Sequence, residues 1–346
     1  MQHIINIFKK SFLLIIIIHL LVIKSLFAQD FKTIKAYEDS IVSYSNLIIQ
    51  ERDDDKKLEL NKALSVFVEK AIRQESSIDY AFKKLNFVSV LTSDNKKFRV
   101  ISWTLKMHNE QWKYFGFTQS LVKSTKSYKY SKLKDQTSKL RRPDSKTLNA
   151  KKWLGAYYYK IIETRNGSKY YYTLLGWKGY DRAKSMKVIE IATIRSNGDV
   201  IFGYPLFNIR AYKYFKNKRP RRLVFTFSGQ VKMFLDYDIQ SIHIQKKSKK
   251  KRSYKKTKGF SPQSSDASQK VKVKTITKLM IVMDRLEPTN LQMEGFYEFY
   301  FPETNVVDAL LFKDGKWNYY PDVDARNKAT EQKNIKPKKE INYNLY

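Results

Sequence analysis

Two runs of aromatic and β-branched residues around an Asn-Gly pair constrain the fold more than any other stretch. The runs cover residues 153–162 and 170–177, and Asn166-Gly167 lies between them. Asn and Gly accept the positive φ angles of a two-residue β-turn, so the sequence predicts an antiparallel hairpin. If this pair forms the turn, one face of the hairpin carries Tyr157, Tyr159, Ile161, Tyr172, Leu174 and Gly176.

Residues 29–85 have apolar side chains spaced as in helices. Apolar side chains recur at three- and four-residue intervals from Ile34 to Ile48 and again from Leu58 to Ala71, which is the pattern of amphipathic helices. Asp53-Asp54-Asp55 interrupts the pattern and suits a helix start, because carboxylates complement the positive end of the helix dipole. We expect a helical hairpin that packs on a sheet; an exposed helix pair that binds a partner is the alternative.

From residue 86 to residue 327 the apolar spacing changes to a period of two, which is typical of β-strands. Asn197-Gly198 marks a second hairpin, and Phe296–Phe301 and Val306–Phe312 are predicted as two separate strands. Residues 123–151 hold few large apolar side chains and are predicted to form a long loop. Because no helical pattern intervenes after residue 86, parallel crossover units are not expected.

The predicted fold class is therefore α+β, mainly β. A helical hairpin at residues 29–85 precedes a large antiparallel β-meander at residues 86–327, which closes as a barrel or stacks as a curved sandwich. A charged tail at residues 328–346 follows and is expected to fray.

The first 28 residues have the pattern of a signal peptide. Lys9 and Lys10 precede an apolar run from Phe12 to Ile23, and a small residue, Ala28, follows. The run is shorter than the ~20 residues that span a membrane. We predict cleavage near Ala28, no transmembrane segment afterwards, and export to the periplasm, the outer envelope or the exterior. A retained anchor helix is the alternative.

The net charge and the absence of cysteine limit the functions that the chain can have. The chain has 67 lysines and arginines against 33 aspartates and glutamates, a formal net charge of +34. Such a field favours polyanionic partners, here an anionic glycan, lipopolysaccharide or a membrane surface rather than a specific nucleic acid. A solvated, lysine-rich surface without a partner is the alternative. With no cysteine in the chain, disulfides, thiol catalysis and cysteine metal sites are excluded.

The densest charge lies in residues 246–258, where nine of thirteen residues are lysine or arginine. Serine, glutamine and proline are frequent in the residues that follow, so residues 246–270 are predicted to be a disordered insertion within a hairpin. Flexible cations of this kind bind polyanions with a steep salt dependence. The candidate binding residues are Lys246, Lys247, Lys249, Lys250, Lys251, Arg252, Lys255 and Lys256.

Carboxylates are the main candidates for catalysis. Only His108 and His243 follow the predicted signal, so a three-histidine zinc site is excluded and a Ser-His-Asp triad would need one of these two. Carboxylates two residues apart on a strand could act as acid and base on a glycosidic bond or bind a hard cation. Ending strands and pairing with lysines is the structural alternative. The candidate carboxylates are Asp236, Asp238, Asp322 and Asp324.

Aromatic residues gather near one end of the central hairpin. They could stack on sugar or base rings, although the core of any β-protein collects the same residue types. The candidates are Trp153, Tyr158, Tyr171 and Trp177.

Five motifs carry a resemblance to a known family. They are Trp153–Ile162, Tyr172–Trp177, Phe202–Phe207, Asp284–Pro288 and Asp322–Asn327. They resemble a family of uncharacterised exported proteins of Bacteroidetes-type bacteria, over roughly residues 98–327. The chain departs from that pattern at Lys178, where an acidic residue is expected, and in the basic insertion. The resemblance implies an envelope or secreted location and no particular activity.

These observations lead to two functional hypotheses. The first is an exported, non-enzymatic protein of the cell envelope with a binding or structural role and affinity for polyanionic envelope components. The second is a carboxylate-dependent hydrolase that acts on envelope glycans. No cofactor and no metal site is indicated by the sequence.

Overall fold

The computed structural model describes residues 29–179, 181–246 and 272–323. The predicted signal peptide, the basic insertion from residue 247 onward, and the chain end from Asp324 lie outside the described residues. Helix α1 covers residues 29–50 and α2 covers Asp54–Ile72. The strands that follow are β1 (Ser89–Thr92), β2 (Phe98–Lys106), β3 (Trp112–Leu121), β4 (Tyr128–Lys134), β5 (Leu148–Asn149), β6 (Tyr157–Asn166), β7 (Lys169–Gly179), β8 (Lys184–Ile194), β9 (Val200–Phe202), β10 (Phe207–Asn208), β11 (Arg222–Ser228), β12 (Leu235–Lys246), β13 (Lys272–Pro288), β14 (Tyr300–Lys313) and β15 (Lys316–Tyr320).

The predicted N-terminal helical hairpin is confirmed. The carboxylate of Asp53 accepts a hydrogen bond from the backbone N–H of Lys56 at 2.9 Å and so caps α2. Both helices bury apolar side chains, Ile41 and Leu64 among them, in one core with Trp103 of β2. The hairpin therefore packs on a sheet, as expected. In the described part of the chain, no helix is long and apolar enough to cross a membrane.

Strands β1 to β4 form the first sheet, in sequential antiparallel order. The prediction of a long loop at residues 123–151 is wrong, because β4 and β5 lie within it. β4 is held at the edge by backbone pairing with β3, and Leu133 is buried beneath it. Lysines alternate with tyrosines along this strand. Charge on an edge strand is common, because it discourages pairing with a second sheet.

The second sheet has the order β5-β9-β8-β7-β6, with β11 paired to β8. The third has the order β10-β15-β14-β13-β12, and its two-residue β10 runs parallel to β15. The two strands predicted near the chain end are in fact one, because β14 runs unbroken from Tyr300 to Lys313. Tyr297–Phe299 forms a single 3₁₀ turn before it.

Of the four apolar clusters among the described residues, three lie between layers. The first lies between the helices and the first sheet. The second, around Trp153 and Phe202, joins the first sheet to the second. The third, around Phe225 and Trp317, joins the second sheet to the third. The α+β, mainly β prediction is therefore confirmed, and of the two predicted architectures the sheets form the curved sandwich.

The central hairpin forms from β6 and β7, but its register differs from the prediction. Asn166 pairs with Lys169, so the turn residues are Gly167 and Ser168. Gly167 has a φ of 59°, as the first central residue of a type II′ turn requires. The Asn-Gly pair thus predicts a hairpin correctly but not which two residues turn.

A β-bulge between Tyr158 and Lys160 exchanges the faces of two tyrosines. Tyr158 lies in one core with Leu174, whereas Tyr159 packs against the core on the other side of the sheet. The predicted placement of Tyr159 beside Leu174 is wrong for this reason. The absence of a side chain at Gly176 makes room for the Tyr158 ring, since a Cβ there would lie 2.8 Å from the ring.

Candidate functional site

The first pair of candidate carboxylates, Asp236 and Asp238, lies half-buried on β12. Nζ of Lys160 donates to Oδ1 of Asp236 at 2.5 Å and to the carbonyl of Tyr237 at 3.1 Å. The carboxylate of Asp238 accepts from the backbone N–H of Ile239 at 2.8 Å. Asp236 therefore joins the edges of the second and third sheets through a lysine. No three His, Asp or Glu side chains of the described residues are grouped so that they could hold a metal ion.

Of the second pair, Asp322 is exposed, and Asp324 lies outside the described residues. The backbone N–H of Asp322 donates to Oδ1 of Asp308 at 3.0 Å. Asp308 is fully buried and also accepts from Nη2 of Arg285 at 2.6 Å and from the hydroxyl of Tyr319 at 2.7 Å. The hydrogen bond to Asp308 holds the pKa of Arg285 above its ordinary range. Asp308 of β14 thus links β13, β15 and the backbone at Asp322.

A half-buried polar cluster lies beside Asp236, where the second and third sheets meet. Lys187 of β8 places Nζ 4.5 Å from the centre of the Tyr159 ring, and burial lowers its pKa to about 8. Burial also raises the pKa of Asp284, although the N–H of Phe234 donates to its carboxylate at 2.7 Å. Lys187 lies close enough to both carboxylates to interact with them electrostatically. Ionisable groups with shifted pKa values in one cluster mark a candidate functional site.

Lys178 of β7 is buried. Its Nζ donates to Oγ1 of Thr137 at 2.9 Å and to the carbonyl of Gly155 at 2.8 Å, and it lies 4.0 Å from the centre of the Tyr114 ring. Burial lowers the pKa of Lys178 to about 8, against a smaller opposing effect of the Asp135 charge. The amine therefore acts as a structural donor to the segment that precedes the central hairpin.

Lys178 makes the stability of the fold depend on pH. The folded protein releases this proton at about pH 8, whereas the unfolded chain keeps it up to the ordinary value of 10.5. The unfolded state then binds more protons in this window, so the free energy of unfolding rises with pH by up to about 1.4 kcal/mol per pH unit. Urea titrations at pH 7.5, 8.2 and about 9, where few tyrosines are ionised, are expected to show this rise.

The control for this prediction is Lys178→Met. The variant is expected to lose the Lys178 part of the slope and to keep the part that comes from Lys187, whose pKa is also about 8. An unchanged slope in Lys178→Met would show that the amine of Lys178 is not held in a desolvated position.

The four candidate aromatic residues lie mostly inside the fold. Trp153, Tyr158 and Tyr171 are buried, and Trp177 is half-buried. Nε1 of Trp153 donates to the Tyr158 hydroxyl at 3.1 Å. The Trp177 ring meets that of Trp112 edge-on at 4.8 Å. Trp153, Tyr158 and Trp177 pack between the first and second sheets. Tyr171 packs in the core between the second and third sheets.

A long stretch of described residues with many exposed cations lies between residues 123 and 152. Ten cationic side chains are exposed there, and we call this set of residues the basic face: Lys123, Lys126, Lys132, Lys134, Lys139, Arg141, Arg142, Lys146, Lys151 and Lys152. The same stretch contains two carboxylates, Asp135 and Asp144. No carboxylate of the described residues lies within 4.0 Å of a charged nitrogen of the basic face.

Backbone contacts order the basic face. The N–H of Lys134 donates to the carbonyl of Ala150 at 2.7 Å, and the N–H of Trp153 donates to the carbonyl of Lys134 at 3.0 Å. These bonds bring the end of β4 beside the residues before Trp153, so Lys134 lies next to Lys151 and Lys152. An open groove at one end of the face is lined by Lys123, Ser124, Ser196 and Asn197.

A buried ion pair contacts the backbone between the cations of the basic face. Arg222 and Glu190 are both fully buried, with Nε and Oε2 2.6 Å apart. Nη1 of Arg222 donates to the carbonyls of Pro143 and Lys146. The exposed cations near residue 142 are therefore attached to the second sheet through a buried guanidinium group.

The sequence does not indicate the basic face, because residues 123–151 lack the apolar periodicity of a strand and predict a loop. The available signal is composition, since cations outnumber carboxylates strongly in this stretch. The basic insertion that the sequence did single out, Lys246 to Lys256, lies outside the described residues, apart from the backbone of Lys246 at the end of β12.

In comparisons with known proteins, no family model, no curated protein and no solved structure matches the chain.

Proposed function

We propose that the chain is an exported, non-enzymatic protein of the cell envelope that binds polyanionic envelope components through its basic face. The observation that carries this proposal is a set of ten exposed cations on one ordered segment, without a carboxylate of the described residues within 4.0 Å. Such a surface attracts phosphate, sulfate or carboxylate groups. The basic insertion adds nine lysines and arginines in residues 246–258.

The state of the described candidate carboxylates supports a binding role over catalysis. Asp236 is engaged by Lys160, and Asp322 contributes its backbone to the buried Asp308 network. Groups tied to lysines and backbone stabilise a fold, whereas a glycosidase keeps two carboxyl groups open on either side of the sugar. Export is supported by the signal pattern in residues 1–28 and by the family resemblance.

Neutralising part of the basic face is expected to weaken polyanion binding. In the variant Lys132→Gln/Lys134→Gln/Lys151→Gln/Lys152→Gln, affinity for immobilised dextran sulfate at low ionic strength should fall by about tenfold or more, because fewer counterions are released on binding. The slope of log affinity against log salt concentration should become shallower by up to about 3. The same titration with purified lipopolysaccharide tests the envelope ligand.

The matched control neutralises four exposed lysines of the helical hairpin, in Lys32→Gln/Lys35→Gln/Lys56→Gln/Lys62→Gln. It has the same net charge as the first variant, so a general charge effect weakens both equally. Equal loss in the two variants, or no loss in either, contradicts the basic face as the binding surface. A third variant with the lysines of residues 246–258 replaced measures the share of the basic insertion.

A carboxylate-dependent glycan hydrolase is the second candidate, and the cluster of Lys187 and Asp284 is the observation that favours it. A carboxyl group with a raised pKa suits a general acid. The test is release of reducing ends from envelope glycan by the wild type and by Asp236→Asn/Asp284→Asn. Release by the wild type that the variant loses supports a hydrolase, and absence of release by the wild type rejects this candidate.

A further inference from the structure

The β13–β14 loop, residues 289–299, presents apolar side chains on an ordered scaffold. Leu291 is 88% exposed, Phe296 55% and Phe299 41%. The N–H of Thr289 donates to the carbonyl of Phe299 at 3.0 Å and closes the loop at its base. The N–H of Gly295 donates to the Tyr300 hydroxyl at 3.1 Å. Large apolar side chains that are held in place and left uncovered mark a contact surface.

The same stretch is acidic in a strongly basic chain. Residues 286–305 contain four glutamates and no lysine or arginine, although 67 of the 346 residues of the chain are lysine or arginine. Among the described residues, no cationic nitrogen lies within 4.0 Å of Glu287, Glu294 or Glu298. The loop therefore offers apolar groups bordered by carboxylates without a described cationic neighbour, which is the complement of a basic surface.

A basic surface adjoins this loop on the same molecule. The 3₁₀ turns at Tyr297–Phe299 and at Pro143–Ser145 both pack against β11. The Tyr297 ring lies 6.0 Å from the Tyr214 ring, and Tyr297 is close enough to Asp144 to interact with it electrostatically. Exposed cations flank the turn at Pro143–Ser145, namely Arg141, Arg142 and Lys146.

We infer that two copies of the chain associate about a two-fold axis through this surface. An acidic patch beside a basic patch is complementary to itself under two-fold rotation, so each favourable contact is made twice. Leu291 and Phe296 form the apolar centre, and the glutamates of each copy face the arginines of the other. An apolar centre with a charged rim is the usual anatomy of a protein interface. This inference rests on the described fold and not on the proposed function.

A membrane surface is the poorer partner for the same loop. Anionic headgroups attract basic segments, and the carboxylates of Glu294 and Glu298 would be repelled at the point where the apolar side chains insert. A second copy of this chain supplies both the apolar contact and the opposite charge.

Removing the apolar centre is expected to separate the two copies. Sedimentation equilibrium without any polyanion should give a dimer for the wild type, and Leu291→Ser/Phe296→Ser should raise its dissociation constant by at least about tenfold. The control, Leu47→Ser/Val66→Ser, changes two apolar side chains on the helices that are 47% and 48% exposed, and it should leave the dimer intact.

A charge exchange tests the geometry of the interface. Glu294→Lys/Glu298→Lys and Arg141→Glu/Arg142→Glu should each be monomeric, because both copies then carry like charges at the contact. An equimolar mixture should form a 1:1 heterodimer, since both contacts are complementary again. A monomeric wild type, or a dimer that survives all three interface variants, overturns the inference. Vesicles of anionic lipid that bind the wild type through Leu291 and Phe296, without any dimer in solution, also overturn it.

Discussion

Replacing Glu190 by glutamine is expected to lower the free energy of unfolding by about 3–5 kcal/mol. Glu190 and Arg222 have no exposure to solvent, and their charged atoms lie 2.6 Å apart. Burial raises the pKa of Glu190, and the charge of Arg222 opposes that rise. Glutamine keeps the shape and one acceptor but leaves the guanidinium charge without a counter-ion inside the fold. Equilibrium denaturation in urea measures the loss.

The control for this prediction removes both charges. Glu190→Leu/Arg222→Met places apolar groups of similar volume in the same space, and such replacements are often close to neutral. We expect the double variant to recover most of the stability that Glu190→Gln or Arg222→Met alone loses. A double-mutant cycle then gives the coupling between the two residues. Equal losses in the single and double variants would show that packing, and not charge, is decisive at this position.

The ion pair also connects stability to the proposed binding surface. Arg222 donates to the carbonyls of Pro143 and Lys146, which lie beneath the basic face. The double variant should fold, but it lacks these donors. It should therefore hold the cations near residue 142 less firmly. The polyanion affinity of this variant should fall, whereas its free energy of unfolding should stay close to that of the wild type. The two readouts separate the role of the pair in folding from its role in presenting charge.

Local sequence signals predicted the elements that depend on local physics. Asp53 marks the start of α2, because its side chain caps the first turn wherever the helix packs. The Asn-Gly pairs predicted both hairpins, since glycine supplies the positive φ that a tight turn requires. The register of β6 and β7 was not predictable in this way. It depends on the turn at Gly167 and Ser168 and, towards Tyr157, on the bulge after Tyr158.

The candidate site was less predictable than the fold, because it depends on contacts between distant segments. β4 forms only when β3 offers its edge, so a lysine-rich stretch without apolar periodicity was assigned to a loop. Asp308 lies in an apolar run, and nothing in its immediate neighbours shows that Arg285 and Tyr319 reach it. Likewise, the buried amine of Lys178 donates to Thr137 and Gly155, which precede it by many residues in the sequence.

Truncating Trp103 to alanine is expected to cost about 3–5 kcal/mol of unfolding free energy. The indole is fully buried between the helical hairpin and the first sheet. Its Nε1 donates to Oδ1 of Asn61 on α2 at 2.7 Å, and its ring stacks on Phe115 and Phe117 at 5.8 and 6.1 Å. Alanine leaves a cavity in this core and an unpaired amide at Asn61, so the helices lose their main attachment.

Trp103→Phe distinguishes the two causes. Phenylalanine keeps most of the ring contacts but leaves Asn61 without its donor, which costs about 1–3 kcal/mol. Adding Asn61→Leu to Trp103→Phe removes the unpaired amide and should restore part of that loss. Limited proteolysis between α1 and α2, near Arg52, should accelerate in Trp103→Ala, because the hairpin detaches before the sheets unfold. A loss below about 1 kcal/mol in Trp103→Ala, with unchanged proteolysis, would mean that the helical hairpin is held by its other apolar side chains.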